Sequence, residues 1–570
     1  MRSATVTAVE GEGRARAEPS GRFAGQNLAG WLAARRYGLP ASMVSAATRR
    51  RLAGDWRGAC AAAWFDVEFD LAEVRRRHGS AVAAAIEEDL HHLVPDLVRW
   101  HLPRSSRDGR GLLHPGHTVV LGAYDGEVVL SAHTPVADRP QRVRLRVGPG
   151  SDTEDHHRDS WTEARCLWDD RHVDRLLARM GGGDRLPFFE RDGRRRRNPP
   201  LSGPVPTDPV ALMERVIGLQ DAGRVPAAWQ AAGVQANLRF AAVGTRRVDG
   251  GSMLPEELAA MVPAFVRPAQ ALLGLAGVSR VVLRSADSTR TAVVLMLGHG
   301  GLRAHQVEVH RTDDALPLAR ALWRRMPDLE LLRHGLITAA ELHPLVRAAL
   351  FPEQPDPGYR PAVASTVDVG SPVPVRCAGR AHRVAWRSGR LEPLDHPAEE
   401  VARERALRAL GGPVPACVAA ADAWRAGGDL PEPLDRLREH GLTAVLHGHA
   451  DELVRLVDAG IDPRGLRDER GRGPLHLLAR MSDVDGPAVL ARLLAEGLDL
   501  AERDEDGESP LARIVADGGA PELVRALLRA GADPRTVVDE RGRPQMLGWF
   551  DRTRYAFLVE QVRGRGGMNS

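Results

Sequence analysis

The sequence predicts an α+β protein in which two tandemly duplicated α+β modules precede a C-terminal all-α solenoid of short helical repeats. Two observations predict this class. Most of the first 350 residues repeat themselves once, at offsets that shrink from 169 to 155 residues. Residues after 440 repeat a short motif three times. A fixed period in the thirties is typical of solenoids, in which small helical units stack on one another.

The upstream duplication rests on matched apolar segments. The valine-rich triplet at 119–121 returns at 281–283, the triplet at 128–130 returns at 293–295, and Trp168 returns as Trp323. Matched segments that keep one order along the chain while their offsets drift are what changes in loop length produce. We therefore expect modules at 22–190 and 208–350 to share one topology, with the two tryptophans at equivalent core positions.

The C-terminal repeat is marked by a glycine after each of three apolar amphipathic runs. Gly460, Gly497 and Gly531 recur at intervals of 37 and 34 residues, and each is followed by an apolar residue and an aspartate. Glycine adopts the left-handed conformation that ends a helix without a Cβ clash. Four leucines on the second and third runs are expected to be buried between adjacent repeats: Leu493, Leu494, Leu527 and Leu528.

A second motif lies in register with the first. Asp468-Glu469-Arg470-Gly471 leads into Pro474-Leu475-His476, Asp504-Glu505-Asp506-Gly507 leads into Pro510-Leu511, and Asp539-Glu540-Arg541-Gly542 opens a degenerate copy. Together the two motifs resemble the ankyrin repeat over residues 440–563. The resemblance implies two antiparallel helices per unit, joined by an extended turn, and a face of turn tips and inner helices that contacts partners.

The remaining segments predict smaller pieces. Residues 1–21 mix charges without an apolar pattern and are expected to be disordered. Residues 191–207 contain the run Arg194-Arg195-Arg196-Arg197 and several prolines, which predicts an exposed linker. Residues 355–430 combine short strand-like runs with a helical run, so we expect a small β-ribbon plus a helix.

Composition favours a cytoplasmic protein. No apolar run is long enough to cross a membrane, and the first residues lack the apolar stretch of a signal peptide. All 78 basic residues are arginine, a bias that a GC-rich genome explains better than phosphate binding does. The C-terminal region holds 18 arginines and 22 acidic residues. It is therefore not expected to bind nucleic acid.

Candidate catalytic or metal-binding patterns do not stand out. Histidines cluster in the first module as His91-His92, His114 with His117, and His156-His157, but Ala259-Ala260 replace the first pair in the second module. We interpret them as loop histidines. The cysteines, Cys60, Cys166, Cys377 and Cys417, are far apart in sequence, which predicts reduced buried thiols. No catalytic motif, cofactor or metal is therefore expected.

The favoured hypothesis is a non-enzymatic protein that binds a protein partner through its ankyrin-like repeats. A basic partner would suit the acidic turn tips, and neither a membrane nor a small-molecule substrate is expected. The candidate contact residues are Glu469, Arg470, His476, Arg480, Glu505, Asp506, Arg513, Asp517, Glu540 and Arg541. Two alternatives stay open: an enzyme or toxin-like effector with its active site in the first module, and nucleic-acid binding through the basic residues 1–430.

Overall fold

The computed structural model describes residues 25–566, apart from 106–107, 126, 138, 151–157, 239–259, 285–290, 355–357, 361–370, 378–379, 388, 411–415, 540, 547 and 549. Contacts divide the chain into two compact units. The discontinuous unit combines Ala29–Leu176 with Ile337–Ser570, and the inserted unit is built mainly from Leu177–Leu336, which lies between those two segments in sequence.

The first segment of the discontinuous unit contains a five-stranded sheet and several helices. Its helices begin at proline, aspartate or glycine residues, as at α3, where the Asp55 carboxylate accepts a hydrogen bond from the Gly58 amide. The elements, including a short helix where the two units meet in sequence, are α1 (Gly25–Tyr37), α2 (Ala41–Leu52), α3 (Trp56–Ala62), β1 (Phe65–Val67), α4 (Leu71–His78), α5 (Ser80–His92), α6 (Pro95–His101), β2 (Thr118–Tyr124), β3 (Val128–His133), β4 (Val143–Pro149), β5 (Arg158–Ser160) and α7 (Leu176–Arg179).

The inserted unit contains a second five-stranded sheet with its own apolar core. Trp229 and Phe265 pack edge to face within that core, with ring centroids 5.5 Å apart. The elements are α8 (Pro209–Asp221), α9 (Val225–Ala231), β6 (Gln235–Asn237), α10 (Val262–Leu273), β7 (Val281–Leu283), β8 (Thr291–Gly298), β9 (Gly301–Glu308), β10 (Leu316–Pro317), α11 (Arg320–Trp323) and α12 (Pro327–Arg333).

The two five-stranded sheets have the same strand order. In the first, β2, β3 and β4 form an antiparallel meander, with β5 parallel to β2 at one edge and β1 parallel to β4 at the other. In the second, β7, β8 and β9 form the meander, with β10 parallel to β7 and β6 parallel to β9. The equal strand order that the sequence offsets predict is therefore observed.

The two matched tryptophans occupy equivalent places in their sheets' cores. Trp168 is 0% exposed and Trp323 is 3% exposed. The backbone carbonyl of each accepts a hydrogen bond of 2.8 Å from the residue that leads into the helix before the meander, Val94 in the first module and Met261 in the second. The same backbone bond thus ties the same part of each copy together.

The expected α+β class is wrong, because each large sheet is mixed. The parallel edge strands are only two or three residues long, as in β1 and β10, and are too short to show the alternation by which strands are recognised in sequence. Helices lie between the first edge strand and the meander of each sheet, α4 to α6 between β1 and β2 and α10 between β6 and β7. The structure is therefore mixed α/β, and its described residues form three sheets.

The second segment of the discontinuous unit combines a three-stranded antiparallel sheet with helices. Its sheet has the order β11–β12–β13. The elements are α13 (Pro344–Leu350), β11 (Val373–Cys377), β12 (Arg380–Arg387), β13 (Arg390–Pro393), α14 (Ala398–Ala409), α15 (Ala416–Ala426), α16 (Glu432–Leu446), α17 (Ala450–Asp458), α18 (Asp485–Ala495), α19 (Pro510–Ala516), α20 (Pro521–Arg529) and α21 (Ala556–Gly566).

The expectation of a separate all-α solenoid at the C-terminus is also wrong. Trp386 of β12 packs against Trp424 of α15, with ring centroids 4.8 Å apart. Both rings contact the apolar core that the helices after residue 432 share, and the Trp424 indole N–H donates to the Asp462 carbonyl over 2.9 Å. This region is therefore built from strands and helices together, because residues of both contact the same apolar core.

The leucines expected between helical repeats are mostly buried. Leu493, Leu527 and Leu528 are 1%, 0% and 6% exposed. Leu494 is only partly buried at the edge of the same core, so the expectation was wrong for this residue. The glycine that follows each of these helices has a positive φ, as for Gly497 at 74°, which confirms the helix-ending role expected of it.

Among the described residues, no helix combines the length and the apolar character that a membrane crossing requires.

Candidate interaction site

Two tight turns carry four of the described tip residues of the C-terminal region. The Asp468 carboxylate accepts hydrogen bonds of 3.0 Å from the amides of Arg470 and Arg472, and the Asp504 carboxylate accepts one of 2.8 Å from the Glu508 amide. These aspartates therefore shape the turns, as expected from turn chemistry. The residues between each aspartate and its glycine are exposed.

Five tip residues are exposed, and the turns that begin at Asp468 and Asp504 are linked to each other. They are Glu469, Arg470, Glu505, Asp506 and Arg541, while Glu540 lies outside the described residues. The Glu505 amide donates to the Arg470 carbonyl over 3.0 Å, and the Arg470 guanidinium lies 3.5 Å from the Asp506 carboxylate. The Glu469 side chain is 86% exposed. Neighbouring tips are thus held in register, with two carboxylates facing water.

The inner-helix residues are not at the surface. His476, Arg480 and Arg513 are buried, and the Asp517 side chain is 0% exposed. Burial lowers the pKa of His476, so its ring is neutral near pH 7. The Arg513 guanidinium donates to the Asp517 carboxylate over 2.9 Å. These four residues therefore cannot meet a partner in the conformation described.

The first module of the same unit covers these inner-helix residues. The Arg139 guanidinium, in the segment between β3 and β4, donates to the Asp517 carboxylate over 3.3 Å and to the Ala516 carbonyl. In return, Arg480 donates to the Arg139 backbone carbonyl over 3.1 Å. The face that the family resemblance assigns to partner binding is thus partly occupied by the chain itself.

A second intramolecular contact lies near the first tip. The Arg110 guanidinium donates to the Glu439 carboxylate over 2.7 Å and lies 4.0 Å from the Glu469 carboxylate. Burial and the nearby Arg104 and other cations lower the pKa of His447 to about 3. Its neutral ring therefore carries the Nε2 proton, which it donates to the Arg110 carbonyl over 2.7 Å.

A buried chain of hydrogen bonds also joins α1 to α16 and α17. Burial raises the pKa of Tyr37 to about 12, so its hydroxyl stays protonated and lies 2.5 Å from His440 Nδ1. His440 Nε2 lies 2.6 Å from the Glu452 carboxylate, which also accepts from Arg455. Burial alone would raise the pKa of Glu452, but the hydrogen bonds from Arg455 and His440 lower it to about 2.

The lowered pKa of Glu452 predicts an acid-sensitive contribution to stability. The ordinary glutamate value is 4.5 and the folded value is about 2. The stabilisation is therefore fully present above pH 4.5 and lost as the pH falls through 2. Urea unfolding of the native chain and of Glu452→Gln should show a difference in stability at pH 7 that shrinks across this window. A difference that stays constant between pH 5 and 2 would contradict the assignment.

The histidine pairs of the first module do not assemble into one site within the described residues. His91 is exposed, His92 Nδ1 lies 2.9 Å from the Asp170 carboxylate, and His114 stacks edge-on against His117 with centroids 5.8 Å apart. His156 and His157 lie outside the described residues. His92, Asp169 and Asp170 are close enough to hold a cation.

Arginines already neutralise those two carboxylates. Arg51 pairs with Asp170 at 2.6 Å, while Arg165 and Arg171 each pair with Asp169 at 2.8 Å. Three guanidinium groups around two carboxylates repel a metal ion, so we interpret this group as an ion-pair network that fixes the end of α5.

The arginine run of the predicted linker is exposed, as expected from its sequence. Arg196 pairs with Glu190 at 3.1 Å, with the side chains 39% and 38% exposed. Such surface pairs contribute little to stability.

Sequence reasoning missed one group of residues entirely. Cys377, His382, His396 and Cys417 place four ligand atoms within 4.8 Å of one another. No local spacing motif joins them, since 4, 13 and 20 residues separate them in turn. The only available signal was that the segment expected to hold a small β-ribbon and a helix contains two cysteines and two histidines.

Comparison with known proteins leaves the resemblance untested. No family model matches the chain and no curated protein matches it, so the likeness to ankyrin repeats stays a prediction drawn from two sequence motifs.

Proposed function

We propose that this chain is a non-enzymatic interaction protein, and that its C-terminal region binds a basic protein partner through the exposed turn tips. The observation that carries the proposal is the contrast between tip and inner-helix residues. The tips keep Glu469 and Glu505 in water, whereas Arg480 and Asp517 are already bound by the chain's own first module. Among the described candidate contact residues, the exposed ones lie at the tips, and the proposal therefore places partner recognition there.

The chemistry of the tips favours arginine- or lysine-rich partners. The Glu505 amide is fixed by the Arg470 carbonyl, which holds the two turns side by side. Two carboxylates on one rigid edge attract cationic side chains and raise the rate of encounter with a basic surface. Arg110, 4.0 Å from Glu469, supplies an intramolecular cation of the kind that such a partner would replace.

The cytoplasm is the compartment that we propose for this activity. All four cysteines are buried and none is in a disulfide, which suits a reducing environment.

The proposal predicts that Glu469→Gln with Glu505→Gln weakens partner capture at low salt and leaves the melting temperature nearly unchanged. Amides keep the shape of the side chains but remove two charges, and exposed charges contribute little to stability. The measurement is affinity capture with the full chain as bait, quantified by mass spectrometry at two salt concentrations.

The matched control is Glu432→Gln with Glu522→Gln, which removes the same charge from two other exposed sites, 79% and 68% exposed. A partner lost from the tip variant and retained by the control supports the proposal. Equal capture by the tip variant and the native chain would move the binding site elsewhere.

A further inference from the structure

Four potential metal ligands meet between the three-stranded sheet and α15. Cys377 ends β11, His382 lies on β12, His396 follows β13, and Cys417 lies in the first turn of α15. We call this group the Cys2His2 cluster. Both cysteines are at most 1% exposed and the His396 side chain is 7% exposed. The cluster is therefore enclosed by the protein.

Strand pairing explains why residues so far apart in sequence meet. In the antiparallel pair of β11 and β12, Val375 lies opposite His382 and Cys377 lies opposite Arg380. Residues two apart on a strand point to the same face, so Cys377 and His382 share one face of the sheet. That face also carries Val375 and faces Cys417 on the helix, since Val375, Cys377 and Cys417 belong to one apolar cluster.

A turn held by Asp395 places His396 next to His382. The Asp395 carboxylate accepts hydrogen bonds of 2.7 Å from the Arg383 amide and 2.8 Å from its guanidinium. These bonds hold the chain after β13 against β12, and the next residue is His396. His382 Nδ1 and His396 Nε2 consequently lie 2.6 Å apart.

The separations between the ligand atoms are close to those of a tetrahedral zinc site. Bonds of about 2.3 Å to sulfur and about 2.0 Å to nitrogen place the ligand atoms of such a site about 3.3–3.8 Å from one another. All four ligand atoms of the cluster lie within 4.8 Å of one another. Adjustments of about 1 Å, which side-chain rotations supply, convert one arrangement into the other.

The other nitrogen of His396 has the partner that a metal-ligating histidine requires. His396 Nδ1 lies 3.3 Å from the Glu400 carboxylate on α14, while Nε2 faces His382. A carboxylate that accepts the remote ring proton fixes the tautomer, and it leaves the other nitrogen's lone pair directed at the metal. Glu400 is therefore a positioning residue that orients the His396 ring.

We propose that Cys377, His382, His396 and Cys417 bind one zinc ion in a closed structural site. Two thiolates neutralise a divalent cation, so the complex carries no net charge and suits its apolar neighbours Val384, Leu391 and Ala420. Thiolate and imidazole ligands are those that zinc takes in proteins. Four protein ligands leave no position for substrate, which makes the site structural rather than catalytic.

The proposed ion would stabilise a segment with a small core of its own. The apolar cluster between the sheet and α15 contains only seven buried residues, and small cores of this kind are commonly reinforced by a metal or a disulfide. Zinc bound by β11, β12 and α15 would fix Trp386 against Trp424, and through Trp424 the start of the helical region.

The test is elemental analysis of the full-length chain, purified without chelators after expression with zinc. We expect about one zinc per chain. The double variant Cys377→Ser with Cys417→Ser should lose it, whereas Cys60→Ala, which removes a buried thiol outside the cluster, should retain it. Replacement of zinc by Co²⁺ should give the intense visible absorption of tetrahedral cobalt and a thiolate charge-transfer band.

A second variant tests zinc binding even if the double cysteine variant fails to fold. Glu400→Gln leaves all four ligands in place and should weaken zinc binding about 10–100-fold in a competition titration with a chromophoric chelator. An unchanged affinity would overturn the role given to Glu400. His310→Ala, which removes a histidine that is 70% exposed, is the matched control and should bind as the native chain does.

Thiol counting separates zinc from a disulfide. With zinc bound, the denatured chain in the presence of chelator should show four reactive thiols. Two thiols without zinc would indicate a Cys377–Cys417 disulfide, and four thiols with no uptake of Zn²⁺ or Co²⁺ would leave two ordinary buried cysteines. Either result overturns the proposal, and neither bears on partner capture by the turn tips.

Discussion

Replacing Leu527 with alanine is expected to lower the free energy of unfolding of the discontinuous unit by about 2–5 kcal/mol. Leu527 lies on α20, is 0% exposed, and belongs to the apolar core that joins the helices after residue 432. Truncation removes buried methyl groups and leaves a cavity that close-packed helices cannot fill. Urea unfolding followed by circular dichroism measures the change.

Leu494→Ala is the control for that experiment. Leu494 belongs to the same core but is only partly buried, so the same truncation removes less buried surface. We expect a loss of about 1 kcal/mol. Equal losses of unfolding free energy in the two variants would contradict the difference in burial between Leu527 and Leu494.

Replacing Asp517 with alanine is expected to destabilise the contact between the first module and the helices by about 3 kcal/mol. The Asp517 carboxylate is fully buried and bridges Arg139, 32% exposed, and Arg513, 11% exposed. Its removal leaves two guanidinium groups facing each other with one fewer acceptor. Removing one partner of a buried ion pair strongly lowers stability, because the remaining charge stays desolvated.

A double-mutant cycle with Arg139→Ala isolates the contact between the two segments. The coupling energy between the Arg139 and Asp517 variants should fall at about 0.5–3 kcal/mol, as for residues in direct contact. Glu522→Gln, at an exposed site on α20, serves as the uncoupled partner in a parallel cycle with Arg139→Ala. Additive effects of Arg139→Ala and Asp517→Ala would remove the evidence that the first module binds these helices.

Part of this architecture could be predicted from sequence because its signals are local. The valine-rich strands β2, β3, β7 and β8 alternate or run apolar over enough residues to be recognised, and their offsets predict equal strand orders. The parallel edge strands could not be found. Phe65–Val67 and Leu316–Pro317 acquire their structure from pairing with the meander, and their own sequences carry no pattern.

The exposure of the candidate contact residues could be predicted at the tips but not on the inner helices, for a similar reason. Turn chemistry depends on adjacent residues, so the exposed tips at Glu469 and Glu505 could be placed correctly from sequence alone. The burial of Asp517 depends on Arg139, 378 residues earlier in the chain. A polar residue at a repeated inner-helix position looks solvent-facing until the segment that covers it is known.

The Cys2His2 cluster was missed because strand pairing and helix packing, rather than a short spacing in sequence, bring its residues together. Metal motifs that can be read from sequence place pairs of ligands within one turn or one helix. Here Cys377 and His382 meet through strand pairing, and Cys417 meets them through the packing of a helix 40 residues after the first cysteine.

The division of one unit into two segments has a consequence for the order of events on the ribosome. At about 5–20 residues per second, the 378 residues between Arg139 and Asp517 take about 20–75 s to synthesise. Leu177–Leu336 has its core within itself and can finish folding during that interval. The first module, although made earlier, can form the contacts of Arg139 with Asp517 and of Tyr37 with His440 only after the C-terminal helices have been synthesised.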